Sequence, residues 1–598
     1  MREVGRLHAA PDRCCLYESV LSGAMPSSRR PSASFSRIGR FGLITLLAVL
    51  TGATSACAQT ERRSIARGSL VTVLDSASGN GRCAKLGALA AIPAHVRVVG
   101  LGEATHGTAE FGRFKANAIE CWLRTAGIST VAIEAAPSGW EPIDAFVRGG
   151  SGHLDSLLVA QGFWMWNTPE MRTMLLALRA WNVGEGRARP VRVVGVDPKY
   201  PDRSMHTVLA GIREQWPAVA ARFEPTLRGF PATRDAYVAW LKLSPAERDS
   251  LTADVLLLPA VIDSLAAGAN GEADWNRIRW HARAAAHAVT MEREDAFNWA
   301  TGDVGAEITL YLRLAHSLDV ALQFAQRIDS ARASRLASTL APLAGSYLTI
   351  WREYTQQWSS KRRQVIHAAA DSLVQMVSNT TSQHDSTTRQ GARSAALDVV
   401  AALGMFDAYV GRARPPRAAR DTAMADLVAL ALLQDGPEGR VVVWAHDCHT
   451  SRTPISFFEG QTMGEALARQ FRRGYLSVGF AFGVGDFTAE WYPAPGTLRP
   501  TGVVRPGQLT TFHVTAARPG EGEYALAALA PSDFTLDLRG ETPSWTKDEQ
   551  TYRRFGSGYN DLWYEQIRLK SSLAKTFDVL VFVQRATAAT QLKSHPLP

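Results

Sequence analysis

The stretch HVRVVGLGEATHG, residues 95–107, decides the fold of this 598-residue chain. Residues 96–101 are mostly β-branched or aliphatic, a composition typical of a strand that is buried on both faces of a sheet. Residues 108–126 then predict a helix. Glu103 and His106 lie in the glycine-flanked turn between this strand and this helix. Because open α/β sheets bind ligands at such strand ends, the turn is the first candidate for chemistry.

Patterns typical of strands and helices alternate along the first 200 residues and return near the end of the chain. Five further segments have the composition of strands: ISTVAIEA (128–135), VRVVGV (191–196), VVVWA (441–445), YLSVGFAF (475–482) and FDVLVFV (577–583). Alternation of this kind indicates parallel strands joined by helical crossovers. The sequence therefore predicts an α/β fold with a mostly parallel sheet flanked by helices.

The composition divides the chain into four parts. Residues 1–58 form a leader, residues 59–202 the first part of the α/β core, and residues 401–598 its second part. Residues 203–400 are rich in Ala, Leu and Arg and carry few strand signals, so they predict a helical insertion. We expect this insertion to form a cap over the cleft at the carboxyl ends of the strands.

The leader has the features of an export signal. Its apolar run FGLITLLAVLTGA (41–53) is short for a membrane span and follows several arginines, and small residues at 56–58 offer a cleavage site. We expect an exported protein, periplasmic or secreted, whose mature chain begins near Gln59 and has no transmembrane span. Lipidation at Cys57 and an uncleaved N-terminal anchor are the alternatives, and Met25 is an alternative start.

The overall composition excludes some classes of protein. A net charge of +9 over so long a chain, without a basic stripe interleaved with aromatic residues, gives no indication of nucleic-acid binding. The 46% hydrophobic content is that of a globular protein. After loss of the leader, cysteines remain at Cys83, Cys121 and Cys448, so at most one internal disulfide can form.

Four predicted strands end in ionisable residues, and in a parallel sheet these ends share one edge. The residues are Glu103 with His106, Glu134, Asp197, and His446 with His449. Gathered in one cleft, such groups can supply a general base, a carboxylate that orients it and donors for developing negative charge. An imidazole, whose ordinary pKa is about 6.5, suits removal of a proton near neutral pH.

The usual sequence signals for a protein nucleophile are missing. The chain has no Gly-x-Ser-x-Gly elbow, no phosphate-binding loop ending in Gly-Lys-Ser/Thr and no His-Glu-x-x-His motif. Cys448 is flanked by ionisable residues, and it is either a reactive thiol or a small residue that fills a turn. No standard nucleophile is therefore indicated.

Eight stretches, in order along the chain, resemble the erythromycin esterases and their relatives. They are GEATHGTAEFGRFK (102–115), VAIEA (131–135), FWMWNTPEM (163–171), VVGVD (193–197), RDTAMAD (420–426), VVVWAHDCH (441–449), TMGEAL (462–467) with the YLSVGF that follows it, and RRFGSGY (553–559). The pairing of GEATHG with a later AH-x-x-H is the specific part of the resemblance. It implies an α/β core with a helical part over the cleft, and hydrolysis of a cyclic ester, a macrolide lactone in the named members.

The resemblance also implies roles for the residues at the strand ends. His106 would be the general base that activates water, and Glu103 and Glu134 would orient it or share its proton. His446 and His449 would help to hold the water and the carbonyl oxygen. The implied reaction is direct attack of water on the ester carbonyl, with no covalent intermediate and no cofactor.

Four further residues are expected to bind the substrate, a small-molecule ester or lactone. They are Lys115, Trp166, Asp197 and Asp447. Lys115 falls where the resistance enzymes tend to have arginine, and the alternative is a solvated helix lysine. Trp166 and its aromatic neighbours either line a pocket or pack in the core. Asp447 stands where the family usually has asparagine, a change that adds an acceptor and removes two donors.

Two alternatives to this hydrolase remain open from the sequence. The three histidines with Glu103 or Glu134 would also suit zinc or manganese with a bound water, which would make a metal-dependent hydrolase on the same cleft. A cell-envelope protein that keeps the cleft and binds a ligand without turnover is the second alternative.

Overall fold

A computed structural model gives the fold over most of the chain that follows the leader. It describes residues 70–74, 82–229, 245–269, 274–294, 304–344, 353–379, 386–408, 410, 418–455, 461–491, 508–561, 564 and 567–592. The leader predictions, including Met25, Cys57 and the cleavage site, lie outside these residues.

The described strands form a ten-stranded sheet and a separate two-stranded sheet. The twelve strands are β1 Val71–Val73, β2 Val98–Leu101, β3 Thr130–Ile133, β4 Arg192–Gly195, β5 Val441–Trp444, β6 Tyr475–Trp491, β7 Gln508–Val514, β8 Phe534–Asp537, β9 Gln550–Arg553, β10 Gly558–Tyr559, β11 Arg568–Ser571 and β12 Val579–Ala586. The path through the large sheet is β1-β8-β12-β6-β2-β5-β3-β4. Its six strands from β12 to β4 are parallel, while β1 and β8 pair antiparallel at one edge.

Helices flank this sheet, which confirms the predicted α/β class with a mostly parallel sheet. The helices are α1 Ala109–Thr125, α2 Pro137–Val147, α3 Leu154–Ala160, α4 Pro169–Val183, α5 Pro201–Ile212, α6 Pro217–Gly229, α7 Pro245–Gly268, α8 Trp275–Glu294, α9 Val304–Ile328, α10 Ser330–Leu340, α11 Ser360–Ser378, α12 Ser386–Ala408, α13 Ala418–Asp435, α14 Asp447–Thr450, α15 Met463–Phe471, α16 Gly522–Ala527, α17 Ser544–Lys547 and α18 Leu573–Thr576. Short 3-10 or π segments cover Arg82–Leu89, Trp164–Trp166, Ala341–Ala344, Glu353–Gln357 and Arg472–Gly474.

Both faces of the central strands are apolar because side chains alternate along each strand. In β5, Val442 and Trp444 belong to the hydrophobic cluster on the face that also contacts α1, α2 and α4. Val441 and Val443 belong to the cluster on the opposite face, with residues of α13 and α15. A strand covered on both faces has to be apolar throughout, which explains the near-continuous β-branched runs in the sequence.

Every described element between β4 and β5 is helical, and this part has a hydrophobic cluster of its own between Met205 and Phe406. One stretch of it, Ser250–Gly268 in α7, is long and apolar enough to cross a membrane by length and composition alone. Val255 and Leu258 of this stretch are nevertheless buried in the helical cluster. The predicted domain boundaries, and the predicted position of this part as a cap over the cleft, stay predictions.

A disulfide joins Cys83, in the segment before β2, to Cys121 near the end of α1. Its two cysteines are 38 residues apart in sequence, and closing a loop of that length stabilises a fold by about 4 kcal/mol in the chain-entropy view. Cys448 is buried and forms no disulfide within the described part of the chain. The structure thus uses the one internal disulfide that the cysteine count permits.

Candidate functional site

Strand register brings the ionisable residues of the sequence together. In the sheet order β2-β5-β3, Leu101 lies beside Trp444 and Trp444 beside Ile133, so three strands end at the same level. Hydrogen bonds continue the register past the strand ends, from the Glu134 amide to the Trp444 carbonyl and from the Asp447 amide to the Glu103 carbonyl. The turns after these strands therefore form one cluster, although the sequence separates them by more than 300 residues.

Two glycines allow the GEATHG turn to lie this close to its neighbours. A Cβ at Gly102 would lie 2.0 Å from the Asp447 carboxylate, and one at Gly107 would lie 1.8 Å from the Thr488 carbonyl oxygen. No side chain fits at such distances without moving the backbone of β6 or the turn after β5. The glycines that flank the motif are therefore required by packing at the site.

The Glu103 carboxylate is the centre of the first half of the site. His106 Nδ1 donates to Glu103 Oε1 at 2.6 Å, and Lys115 Nζ donates to Oε2 at 2.6 Å. Trp444 Nε1 also donates to Oε2, at 3.1 Å. With its Nδ1 proton held by Glu103, His106 keeps Nε2 as the nitrogen that can accept a proton.

Burial and neighbouring charges shift the pKa values of Glu103 and Lys115 in opposite directions. Burial raises the pKa of Glu103, but the Lys115 ammonium and the His106 hydrogen bond outweigh it, so the pKa lies below its ordinary value. Burial lowers the pKa of Lys115, and the Glu103 carboxylate only partly offsets this. Lys115 is fully buried, with its ammonium 4.8 Å from the centre of the Trp444 ring, so it is not the solvated helix lysine of the alternative. Its predicted contact with the substrate stays a prediction.

His446 packs beside His106, with ring centres 5.0 Å apart. Its Nε2 donates to the Phe555 carbonyl oxygen at 2.8 Å, and its Nδ1 accepts from the Cys448 amide at 3.3 Å. Because both ring nitrogens have protein partners, the geometry favours a supporting role for His446 in the wall of the site. Its predicted contact with water stays a prediction.

The second half of the site is built around His449 and Arg420. His449 Nδ1 donates to Asp421 Oδ1 at 2.7 Å, and its Nε2 lies 3.1 Å from both Arg420 Nη1 and Glu134 Oε1. With a proton on Nε2, His449 donates to Glu134 Oε1; without one, Nε2 accepts from the Arg420 guanidinium, so both ring nitrogens have protein partners in either form. Arg420 also donates to Glu134 Oε1 and binds both oxygens of Asp197, at 3.0 and 2.9 Å.

These contacts keep the carboxylates of the second half ionised. Burial raises the pKa of Glu134, but His449 and Arg420 outweigh it and hold the pKa well below the ordinary value. Burial likewise raises the pKa of Asp197, while Arg420 and Lys199 hold it below the ordinary value. Glu134 accepts a further hydrogen bond from the His446 amide at 2.9 Å. Neither group is therefore suited to accept a proton near neutral pH.

The other three residues that were expected to contact the substrate are buried. Asp197 and Asp447 are fully buried, and Asp447 lies 3.2 Å from the buried guanidinium of Arg554. Trp166 is buried as well, donating from its indole nitrogen to the Glu134 carbonyl oxygen at 3.1 Å, with its ring edge-on to that of His106. Trp166 therefore packs against His106, and a direct substrate contact for these three residues stays a prediction.

Sequence reasoning gave no role to several residues that complete the site. They are Arg420, Asp421, Arg554 and Phe555, all of which lie in the stretches RDTAMAD and RRFGSGY. Those stretches stand out in the sequence only through the family resemblance. Their contacts to the strand ends span from 28 residues, between Asp421 and His449, to 451 residues, between Phe555 and Ala104, so no local pattern could have indicated them.

The arrangement does not suit the metal alternative. Within the described ranges, no three His, Cys, Asp or Glu side chains are placed to hold a metal ion. The nitrogens that His446 and His449 would need as ligands are directed at Phe555, Cys448, Asp421 and Arg420. A metal would have to displace these partners first.

A cavity of about 830 Å³ lies elsewhere in the molecule, between α8, α13 and α15. Its lining includes Arg97, which immediately precedes β2, and Gly436, which follows α13. It therefore lies toward the amino ends of the parallel strands, away from Glu103 and His106. Convergence of ionisable groups, and not cavity volume, identifies the candidate site.

A known protein family matches this sequence. A sequence model of the family described as erythromycin esterase matches residues 123–308 and 304–586, which is most of the chain. This chain belongs to the erythromycin esterase family. It is a hydrolase of that family, and the resemblance seen in the sequence is confirmed. A search of curated proteins finds no match.

Solved structures show the same fold. A protein from Bacillus cereus is 15% identical, with a TM-score of 0.58, over 90% of this chain and 99% of that one. A succinoglycan biosynthesis protein is 15% identical, with a TM-score of 0.55, over 87% of this chain and 96% of that one. A mutant of the erythromycin esterase EreC in its open conformation is 14% identical, with a TM-score of 0.47, over 82% and 91%. At these identities the similarities to the first two structures concern the fold alone.

The buried pair of Lys115 and Glu103 leads to a prediction about stability. Lys115→Met should lower the free energy of unfolding by about 3–5 kcal/mol, because it leaves a buried carboxylate without its cation. The pKa of Glu103 should then rise above its unfolded value, so the deficit should be larger at pH 8 than at pH 4. Urea denaturation at both pH values measures this loss in the free energy of unfolding. Lys575→Met, at an exposed lysine, is the control and should change little; an equal loss in both variants would contradict the prediction.

Proposed function

We propose that this family member hydrolyses a lactone or another carboxylic ester with water activated by His106. One observation carries the proposal. Of the three clustered histidines, His106 is the one whose Nε2 has no hydrogen-bond partner among the described residues, so this nitrogen can accept a proton from water. Its Nδ1 is held by Glu103, whereas His446 and His449 use both nitrogens on protein partners. A fixed tautomer with one available nitrogen is what a general base requires.

In this mechanism the water oxygen attacks the ester carbonyl carbon while its proton moves to His106 Nε2. Glu103 accepts the Nδ1 hydrogen bond and stabilises the imidazolium that forms, and Lys115 keeps Glu103 ionised. When the tetrahedral intermediate collapses, the bond between the carbonyl carbon and the alcohol oxygen breaks. The imidazolium then returns the proton to the leaving alkoxide, so that acid and alcohol leave the site.

Charge on the carbonyl oxygen is stabilised from the other half of the site. Arg420 is the cation there, and its side chain keeps 17% of its surface exposed while Asp197 and Glu134 fix its direction. Oriented, partly desolvated donors of this kind stabilise an oxyanion strongly because they need little reorganisation. Asp197 and Glu134 act here through Arg420. His449 contacts another side of the Arg420 guanidinium and limits the movement of that group.

A substitution at His106 tests the base directly. His106→Gln should lower kcat by about 10²–10⁴-fold with little change in ligand affinity, because it removes the proton acceptor and keeps a side chain of similar size. Turnover of a panel of macrolides, other lactones and aryl esters, with calorimetric binding of the best substrate, measures both effects. His513→Gln, at an exposed histidine, is the matched control and should retain activity.

Three results would overturn this scheme. Unchanged turnover in His106→Gln would remove His106 from its role as base. Activity that is lost on chelation and restored only by added zinc or manganese would favour the metal-dependent alternative. Tight binding of an ester by the wild-type protein without turnover would favour the ligand-binding alternative.

We also propose that the protein is exported to the periplasm or secreted. The leader supports export, and the disulfide between Cys83 and Cys121 is an independent argument, because such bonds persist in oxidising compartments. An enzyme in that location would meet an ester substrate before it enters the cell.

N-terminal sequencing of protein purified from the native host tests export. The mature chain should begin near Gln59, because the small residues at 56–58 precede it. Material from the periplasm or medium should carry this terminus, and a diacylglyceryl group on Cys57 would indicate a lipoprotein instead. A cytoplasmic protein that retains Met1 or Met25 would contradict export.

A further inference from the structure

We propose that Asp447 and Arg554 form a buried charge pair that positions both histidine turns for catalysis, and that Asp447 does not contact the substrate. The inference rests on the proposed hydrolase function for its catalytic consequence. Asp447 and Arg554 would be positioning residues, since they act through His446 and the GEATHG turn.

The two side chains lie inside the protein and face each other. Both have no exposed surface, and Arg554 Nε lies 3.2 Å from Asp447 Oδ2. The other carboxylate oxygen of Asp447 is directed at the interior, 3.4 Å from the Phe480 amide of β6 and against Gly102. Asp447 is thus enclosed by Gly102, β6 and Arg554, which leaves no path from its carboxylate to a substrate.

The segment that carries Arg554 contacts both the GEATHG turn and the AH-x-x-H turn. The amide of Phe555 donates to the Ala104 carbonyl at 2.7 Å, inside the GEATHG turn. The carbonyl of Phe555 accepts from His446 Nε2 at 2.8 Å, which fixes the tautomer of that imidazole. A shift of Arg554 would therefore move Phe555 and, with it, the Glu103–His106 turn and the His446 ring together.

Charge, and not hydrogen bonding alone, holds Arg554 in place. Asp447 Oδ2 and the Nε and Nη2 atoms of Arg554 are buried without a well-directed hydrogen bond among the described residues. Glu523, also fully buried, lies 3.8 Å from Arg554 on its other side. An aspartate at position 447 supplies charge complementary to this buried guanidinium, and an asparagine would not. Removing either partner leaves the other as a buried charge without its nearest counter-charge.

Kinetics of Asp447→Asn, Arg554→Gln and the double variant test the proposal. Each single variant should lower kcat by about 10–100-fold with KM within about threefold, because misplacing a catalytic group by roughly 1 Å costs about that much. The double variant should recover much of the lost kcat, since it leaves no unpaired charge. If Arg554→Gln fails to fold, Arg554→Lys keeps the charge and should retain more activity than Asp447→Asn.

Asp435→Asn is the control for a purely structural loss. Asp435 is also a buried partner of an arginine, 2.5 Å from Arg192, but it bonds to Ser129 and Thr130 at the amino end of β3. The Asp435→Asn variant should have reduced stability and an unchanged kcat of the folded enzyme. A rise in KM with unchanged kcat in Asp447→Asn would mean a substrate contact, and an unchanged kcat with lowered stability would mean a structural role only. Either result overturns the proposal.

Hydrogen exchange measured by mass spectrometry separates this proposal from the proposed function. Asp447→Asn should speed exchange in peptides that cover Phe555 and residues 446–451, and Asp435→Asn should not. If the wild-type protein hydrolysed no ester, the hydrolase proposal would fail, while faster exchange at Phe555 would still support the pair as a positioning element. Unchanged exchange there in Asp447→Asn would contradict it, whatever the activity.

Discussion

The whole site depends on the register of three parallel strands. Leu101, Trp444 and Ile133 lie side by side at the ends of β2, β5 and β3, so the turns that follow start at one level. A slip of one residue in any of these pairs would direct its turn to the other face of the sheet. The two glycines of GEATHG preserve this arrangement, because a side chain at either would push the turn away from β6 or from the turn after β5.

The second feature of the site is its number of buried charges, each with an identifiable partner. Glu103 is paired with Lys115, Asp197 and Glu134 with Arg420, and Asp447 with Arg554. Such pairs contribute little net stability, because burying both charges costs about as much as their attraction returns. They are better understood as a way to fix the directions of side chains. Each of these carboxylates is held by a cation, and Glu103 in turn holds His106 Nδ1.

The sequence predicted the parts of this account that are local or periodic. Apolar runs identified the parallel strands, and polar residues at their ends identified Glu103, His106, Glu134, Asp197, His446 and His449. It could not predict which strands are neighbours, nor that Arg420 joins three strand ends, since these contacts arise only from the three-dimensional fold. It also could not show that Lys115, Asp197 and Asp447 are buried, because a polar residue gives no sign in the sequence of how deep it lies. The antiparallel edge of the sheet, with its short strands, was likewise not visible in the sequence.

Chemical rescue offers the most direct test of the central claim that His106 Nε2 is the group that accepts the proton from water. Turnover of the best ester substrate would be measured for His106→Gly, His446→Gly and His449→Gly with increasing concentrations of free imidazole. Imidazole should restore turnover in His106→Gly alone, because the other two rings bind protein partners through both nitrogens. Rescue of His446→Gly or His449→Gly, with none for His106→Gly, would contradict it.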